Sequence, residues 1–217
     1  MSDVVSKLSW FGTGNQDNIF NPLFFGTKLV AQLLYRQHGP KDRYAIGLTG
    51  FSDKVNEARF CLRFFAGINA LNYLLKRRYV DESSDSLVQQ IRQIQTVNNV
   101  LFNVFDTSAF VKNTTSPGMF DYDGGLAARI SVRFWMANVL LSYLLLAREY
   151  QSLLARRDSR QAVFWCFKLV SNMCDTFLSY NWQLMPNRRI LSELQIGALG
   201  SVAGLLRLFM TWTSVKA

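Results

Sequence analysis

The chain has 217 residues, 49% of them hydrophobic, 14% aromatic and only 18% charged, against roughly a quarter charged in an ordinary soluble domain. Its net charge is +9, but Lys and Arg are scattered, with no zinc-finger spacing and no aromatic ribonucleoprotein motif, so the balance argues for a lipid surface rather than nucleic acid. With His38 as the single histidine, the chain lacks the ligands of a metal site and the partners of a nucleophile–histidine pair, so no enzyme, metal or cofactor is predicted.

Cys61, Cys166 and Cys174 all lie in apolar runs. Three such cysteines set no disulfide framework and read as small core residues of a reducing compartment. The first twenty residues lack the layout of a secretory signal.

In chain order, Pro22, Pro40, Pro117 and Pro186 punctuate long stretches without β-alternation, which predicts an all-α fold. The first helix is expected from Asn18 to Arg36, stopped by Gly39-Pro40. The second is expected from Ser52 to Val80. Its residues Cys61, Phe64, Phe65, Ile68, Leu71 and Leu75 fall within an arc of about 120° on a helical wheel. Arg59, Arg63, Ala66, Ala70 and Arg77 line the other side. After a break at Asp81–Asp85, a third helix is expected from Ser86 to Val111. There Leu87, Ile91, Ile94, Leu101 and Phe105 form a packing seam, and Asn98 takes the missing position as a register-fixing polar residue.

Lys112 to Gly125 reads as a loop. Asp121 and Asp123 faintly suggest a calcium loop but lack the other ligands, and are read as turn formers. The loop separates an amphipathic, membrane-associated region, 1–125, from a membrane-embedded helical region, 126–217. The second region holds two candidate spans, Ile130–Ala147 and Leu194–Trp212, near the length that a bilayer requires. Arg133 and Arg207 lie toward span ends, where an arginine can snorkel. Gly197, Gly200 and Gly204 form a small-residue face suited to close helix packing in lipid. Between the spans, Ala162 to Asn181 is expected to be an amphipathic helix.

Several segments carry a family resemblance. Phe167-Lys168-Leu169-Val170-Ser171-Asn172-Met173-Cys174-Asp175 and Ile196-Gly197-Ala198-Leu199-Gly200-Ser201-Val202-Ala203-Gly204-Leu205 resemble a C-terminal helix and the closing span of the peroxin-11 family of peroxisomal membrane proteins. Thr13-Gly14-Asn15-Gln16-Asp17, Ala58-Arg59-Phe60-Cys61-Leu62-Arg63-Phe64 and a turn at Val104-Phe105-Asp106 resemble its N-terminal motifs more loosely, the first without its basic residues. The chain's compactness and these departures are similar to the kinetoplastid glycosomal members.

The resemblance implies a protein of the peroxisomal (glycosomal) membrane that elongates, proliferates and divides it by amphipathic insertion and self-association. Phe64, Phe65, Ile68, Leu71 and Leu75 would then lie among acyl chains, while Arg59, Arg63 and Arg77 meet anionic headgroups. The implied partners are membrane lipids, a second copy of the chain as homo-oligomer, and the fission machinery. The rival readings are a solute pore, also implied by the resemblance and lined by Arg133, Asn138 and Arg207, and a soluble helical adaptor. The family is expected to keep both termini in the cytosol. The positive-inside rule favours instead a cytosolic segment between the spans, where Arg148, Arg156, Arg157, Arg160, Arg188 and Arg189 lie; the family's arrangement is the one expected, because peroxisomal insertion need not follow that bias.

Overall fold

The computed structural model describes residues 16–75, 85–115, 118–156 and 159–214. Among them are six α-helices and no strand: α1 (Gln16–His38), α2 (Arg43–Leu75), α3 (Ser86–Thr114), α4 (Gly124–Arg156), α5 (Ser159–Gln183) and α6 (Glu193–Ser214), with a short 3-10 turn at Pro186–Arg188 before α6. The fold is all-α, as its sequence implies. The observed helices extend beyond their expected limits, most at the start of α2, except at the end of α2, where the expected stretch from Lys76 to Val80 lies outside the described residues. The motif residues Thr13, Gly14 and Asn15, and also Arg77 and Arg157, lie outside the described residues.

The helix ends follow from local chemistry. Gly39 takes φ 86° and its N–H donates to the Tyr35 carbonyl at 3.0 Å, closing α1 in the left-handed cap that glycine favours. Asp42 accepts from the Ala45 N–H at 2.7 Å and so opens α2. Asp85 accepts from the Leu87 N–H at 2.9 Å at the start of α3, and Asp123 from the Gly125 N–H at 2.8 Å at the start of α4. Ser192 and Gln195 close a reciprocal capping box before α6: the Ser192 N–H donates to the Gln195 side chain at 2.8 Å, and the Gln195 N–H donates to Ser192 Oγ at 3.3 Å. Pro22 does not end a helix. It sits in the second turn of α1, where its missing N–H removes one helical hydrogen bond.

Each helix packs on its chain neighbours, and α6 closes on α1, so the six form a ring. Phe24, Phe25, Val55, Leu178 and Ile196 make the core, with Trp135 and Trp182 against it. Phe25 stacks on Trp182 at 6.1 Å, and Trp182 contacts Trp135 at 5.5 Å. This closure joins the two sequence regions: α1 of the first packs along α6 of the second.

The register between α4, α5 and α6 fixes their directions. Along α5, the Trp165 indole donates to the Leu146 carbonyl at 2.8 Å, the Asn172 amide to the Val139 carbonyl at 3.1 Å, and the Ser179 hydroxyl to Met136 Sδ at 3.1 Å. Rising numbers on α5 meet falling numbers on α4, so the two run antiparallel. The Phe164 ring stacks on Phe209 at 6.5 Å, the Ser171 hydroxyl donates to the Ala203 carbonyl at 3.4 Å, and Asn181 accepts from the Leu191 N–H at 2.9 Å. Hence α5 and α6 are also antiparallel, and α4 and α6 point the same way. The segment between the two candidate spans is α5. Its 25 residues of helix run back along the bundle for about 37 Å. Arg148, Arg156 and Arg160 lie toward one end, and Arg188 and Arg189 at the other.

Candidate functional site: an apolar exterior around a polar interior

Helix α2 presents its two sides in an unexpected order. Arg59 is 4% exposed, with its guanidinium carbon 5.3 Å and 5.9 Å from the ring centres of Phe24 and Phe25. One turn later Arg63 donates to Asp106 at 3.0 Å across the α2–α3 contact, and its guanidinium also lies over the Phe102 ring at 5.4 Å. Gly67 continues this row: a Cβ at that position would stand 2.8 Å from Cβ of Asn103. On the other side Cys61 is exposed, and Ile68 and Leu71 are 50% and 45% exposed. The described part of the apolar arc, Cys61, Ile68 and Leu71, is therefore exposed, while Arg59 and Arg63, expected at headgroups, face in. The side chains of Phe64, Phe65 and Leu75, and all of Arg77, lie outside what is described.

Polar contacts run through the interior of the bundle. Besides accepting from Arg63, Asp106 accepts from the Ser131 hydroxyl at 3.5 Å, which links α3 to α4. Farther along that contact, the Gln95 amide donates to Ser142 Oγ at 3.0 Å, and at its exposed edge the Asn138 amide donates to Asn99 Oδ1 at 2.6 Å. The polar row that meets α4 thus runs through Gln95 and Asn99. Asn98, the expected register residue, is partly buried one position away. Asp106 lies inside α3 rather than at a turn. Asn21, Ser52, Ser131, Ser171, Asn172, Asp175, Ser179 and Asn181 are buried as well, whereas Leu126, Leu140, Leu144, Leu205 and Phe209 are exposed. Beside the apolar core, buried polar groups and exposed large apolar side chains are the two departures from a soluble domain's pattern that carry information.

Arg207 does not snorkel from α6. Its Nε donates to Ser171 Oγ at 3.0 Å, and its terminal nitrogen pairs with the Asp175 carboxylate. Beside this pair lies a cleft of about 360 Å³ between α3, α4, α5 and α6, reached also by Arg92, Glu149 and Lys168. Lys168 and Glu149 pair at 2.5 Å on its rim. The three residues proposed to line a pore are not brought together: Arg207 is on Asp175, Asn138 is on Asn99, and Arg133 is exposed. Asp106 and Asp175 are the partners that the sequence reading of this interior missed. Each is an acidic residue inside an otherwise apolar helix, and that was the available signal.

The glycine face of α6 is occupied within the chain. A Cβ on Gly197 would stand 3.0 Å from the backbone of Leu29, one on Gly204 2.8 Å from the backbone nitrogen of Pro22, and one on Gly200 would overlap the Phe25 ring. Three glycines in one helix weaken it, by about 1 kcal/mol each relative to alanine. Here they let α1 lie directly on α6. Asn18 and Thr211 are hydrogen-bonded at 3.3 Å at one end of this contact, and Lys28 pairs with Glu193 at 2.5 Å toward the other.

Two of the described helices are long and apolar enough to cross a membrane, Gly124–Leu154 in α4 and Glu193–Thr213 in α6. Only 17% and 28% of their apolar windows is buried, unlike the core helix of a soluble protein. Among the described residues no group of three or more His, Cys, Asp or Glu is placed to hold a metal ion. Residues 9–212, nearly the whole chain, match the family model described as peroxisomal biogenesis factor 11 (PEX11). No curated protein and no solved structure matches the chain.

Proposed function

The chain belongs to the peroxisomal biogenesis factor 11 family, which implies a role in proliferating and dividing the peroxisomal membrane, and from that premise we propose that it bends this membrane as an embedded helical bundle, α2 acting as the wedge. The observation that carries the reading is the orientation of α2 in its second half: Cys61, Ile68 and Leu71 are exposed, while Arg59 and Arg63 face in. An amphipathic helix on a membrane surface turns its apolar face to lipid and its basic face to water. Here the basic face is already held by Asp106 and aromatic rings, so α2 joins the bundle on one side and acyl chains on the other. Full burial of a large apolar side chain contributes about 1.5–3 kcal/mol; Ile68 and Leu71, already half-buried, would gain roughly half of that each in lipid.

Self-association, where it occurs, uses the outer faces, because α1 fills the glycine face of α6. A soluble adaptor would instead leave Leu140, Leu144, Leu205 and Phe209 against water. Reconstitution of the full chain into phospholipid vesicles tests the reading. Vesicles carrying the chain should elongate into tubules where protein-free vesicles stay round; round vesicles at high protein density would contradict it.

A further inference from the structure

We propose that α5, the helix between the two apolar helices, itself crosses the membrane, so that its outer stripe meets acyl chains and its two ends face different compartments. The proposal rests on the reading of α4 and α6 as spans. It follows from direction. Since α4 and α6 run parallel, a chain that leaves α4 on one face of the bilayer can enter α6 only after returning to the opposite face. The segment between them is α5, whose hydrogen bonds to α4 run from Trp165 to Ser179 and whose contacts with α6 and the turn before it run from Phe164 to Asn181. Its 25 residues reach about 37 Å, against a hydrocarbon thickness of about 30 Å.

Hydropathy alone passes α5 over because it averages residues that the lipid would not meet. Ser171, Asn172, Asp175, Ser179 and Asn181 are buried. Each has a partner inside the bundle: Arg207 for Ser171 and Asp175, the Val139 carbonyl for Asn172, Met136 Sδ for Ser179, and the Ile190 and Leu191 N–H groups for Asn181. Outside, Val163, Val170, Met173, Phe177 and Tyr180 are exposed and share an arc of about 100° on the helical wheel. Polar groups paired inside, with Asn181 Nδ2 the one exception among these five residues, and an apolar stripe outside are what a lipid-facing helix needs. Lys168, three residues before the middle of α5, is paired with Glu149 on the side away from the stripe, and Asp175 with Arg207, so no carboxylate of α5 faces the stripe. The connection after α5, with Arg188 and Arg189, then shares a face of the membrane with the α3–α4 loop, and Ser159 lies on the other.

The test reads sidedness. Single cysteines are placed by Ser159→Cys or Asn187→Cys, both exposed positions, in a chain with Cys61→Ala, Cys166→Ala and Cys174→Ala, and sealed peroxisomes carrying it are treated with a membrane-impermeant maleimide before and after permeabilisation. The expected result is that one site labels before permeabilisation and the other gains at least tenfold only afterwards. Labelling of both from the same side would overturn the crossing while leaving the protein in the membrane. Release of the protein by alkaline carbonate would overturn the span reading beneath it. Trypsin on sealed peroxisomes carrying the unaltered chain gives the same answer without substitutions: cleavage near Arg156–Arg160 or at Arg188–Arg189, but not both, is expected from the outside, and cleavage at both overturns the proposal.

Discussion

Arg63 of α2 and Asp106 of α3 meet at 3.0 Å although 43 positions separate them, and their side chains are 21% and 13% exposed. This pair holds the basic side of α2 against the bundle. Removing one member leaves the other charge without its partner in a poorly hydrated place, at a cost of about 3–5 kcal/mol, whereas replacing both by apolar groups of similar size is commonly neutral. Arg63→Ala should therefore lower the unfolding midpoint in mild detergent steeply, and Arg63→Met with Asp106→Leu should recover most of the loss. A double variant as unstable as the sum of the singles would show that the two do not act as a pair.

The α1–α6 contact makes a sharper steric prediction. Gly204→Val forces a branched side chain into Pro22, whose backbone nitrogen lies 2.8 Å from the position a Cβ would take, and overpacking of this kind costs about 1–3 kcal/mol. Gly50, in α2, has nothing within 4 Å of a Cβ. Gly50→Ala should stabilise by up to about 1 kcal/mol through helix propensity. Denaturant unfolding of both variants in detergent checks the contrast, and equal effects would remove the role assigned to the glycine face.

Cys61 and Cys174 differ in what surrounds them. Cys174 is buried inside the bundle, while Cys61 is exposed on the apolar arc of α2. If that arc faces acyl chains, Cys61 is shielded in a bilayer by lipid and not by protein. A charged maleimide should then fail to label Cys61 in intact membranes and label it fully once the chain is unfolded. Rapid labelling in the bilayer would place the arc in water.

Much of this architecture is legible in the sequence. Gly39-Pro40 and Asp85 announce helix ends, and the periodicity of α2 separates its arginines from Ile68 and Leu71 correctly. What periodicity cannot supply is which face meets a partner. Asp106 and Phe24, which turn Arg63 and Arg59 inward, are remote in sequence and become neighbours only once the ring closes. The same gap explains Asn98. Its seam was placed by apolar spacing, but the row that meets α4 is polar, through Gln95 and Asn99. The glycine face of α6 is readable as a close-packing surface, while its occupant, α1, is not. The direction of α5 is invisible to hydropathy because Asn172 and Asp175 count as polar wherever they point.

The central claim is that the outward face of α2 bends the membrane, and tubulation by the full chain carrying Ile68→Glu and Leu71→Glu tests it most directly. Both side chains are about half exposed, along a groove between α2 and α3, and a charged side chain within the hydrocarbon costs on the order of 2.5–3.5 kcal/mol. The variant should remain in the membrane pellet after alkaline carbonate extraction, held by α4 and α6, yet leave phospholipid vesicles round at a density where the unaltered chain draws them into tubules. Tubules as frequent with the variant as with the unaltered chain would contradict the account.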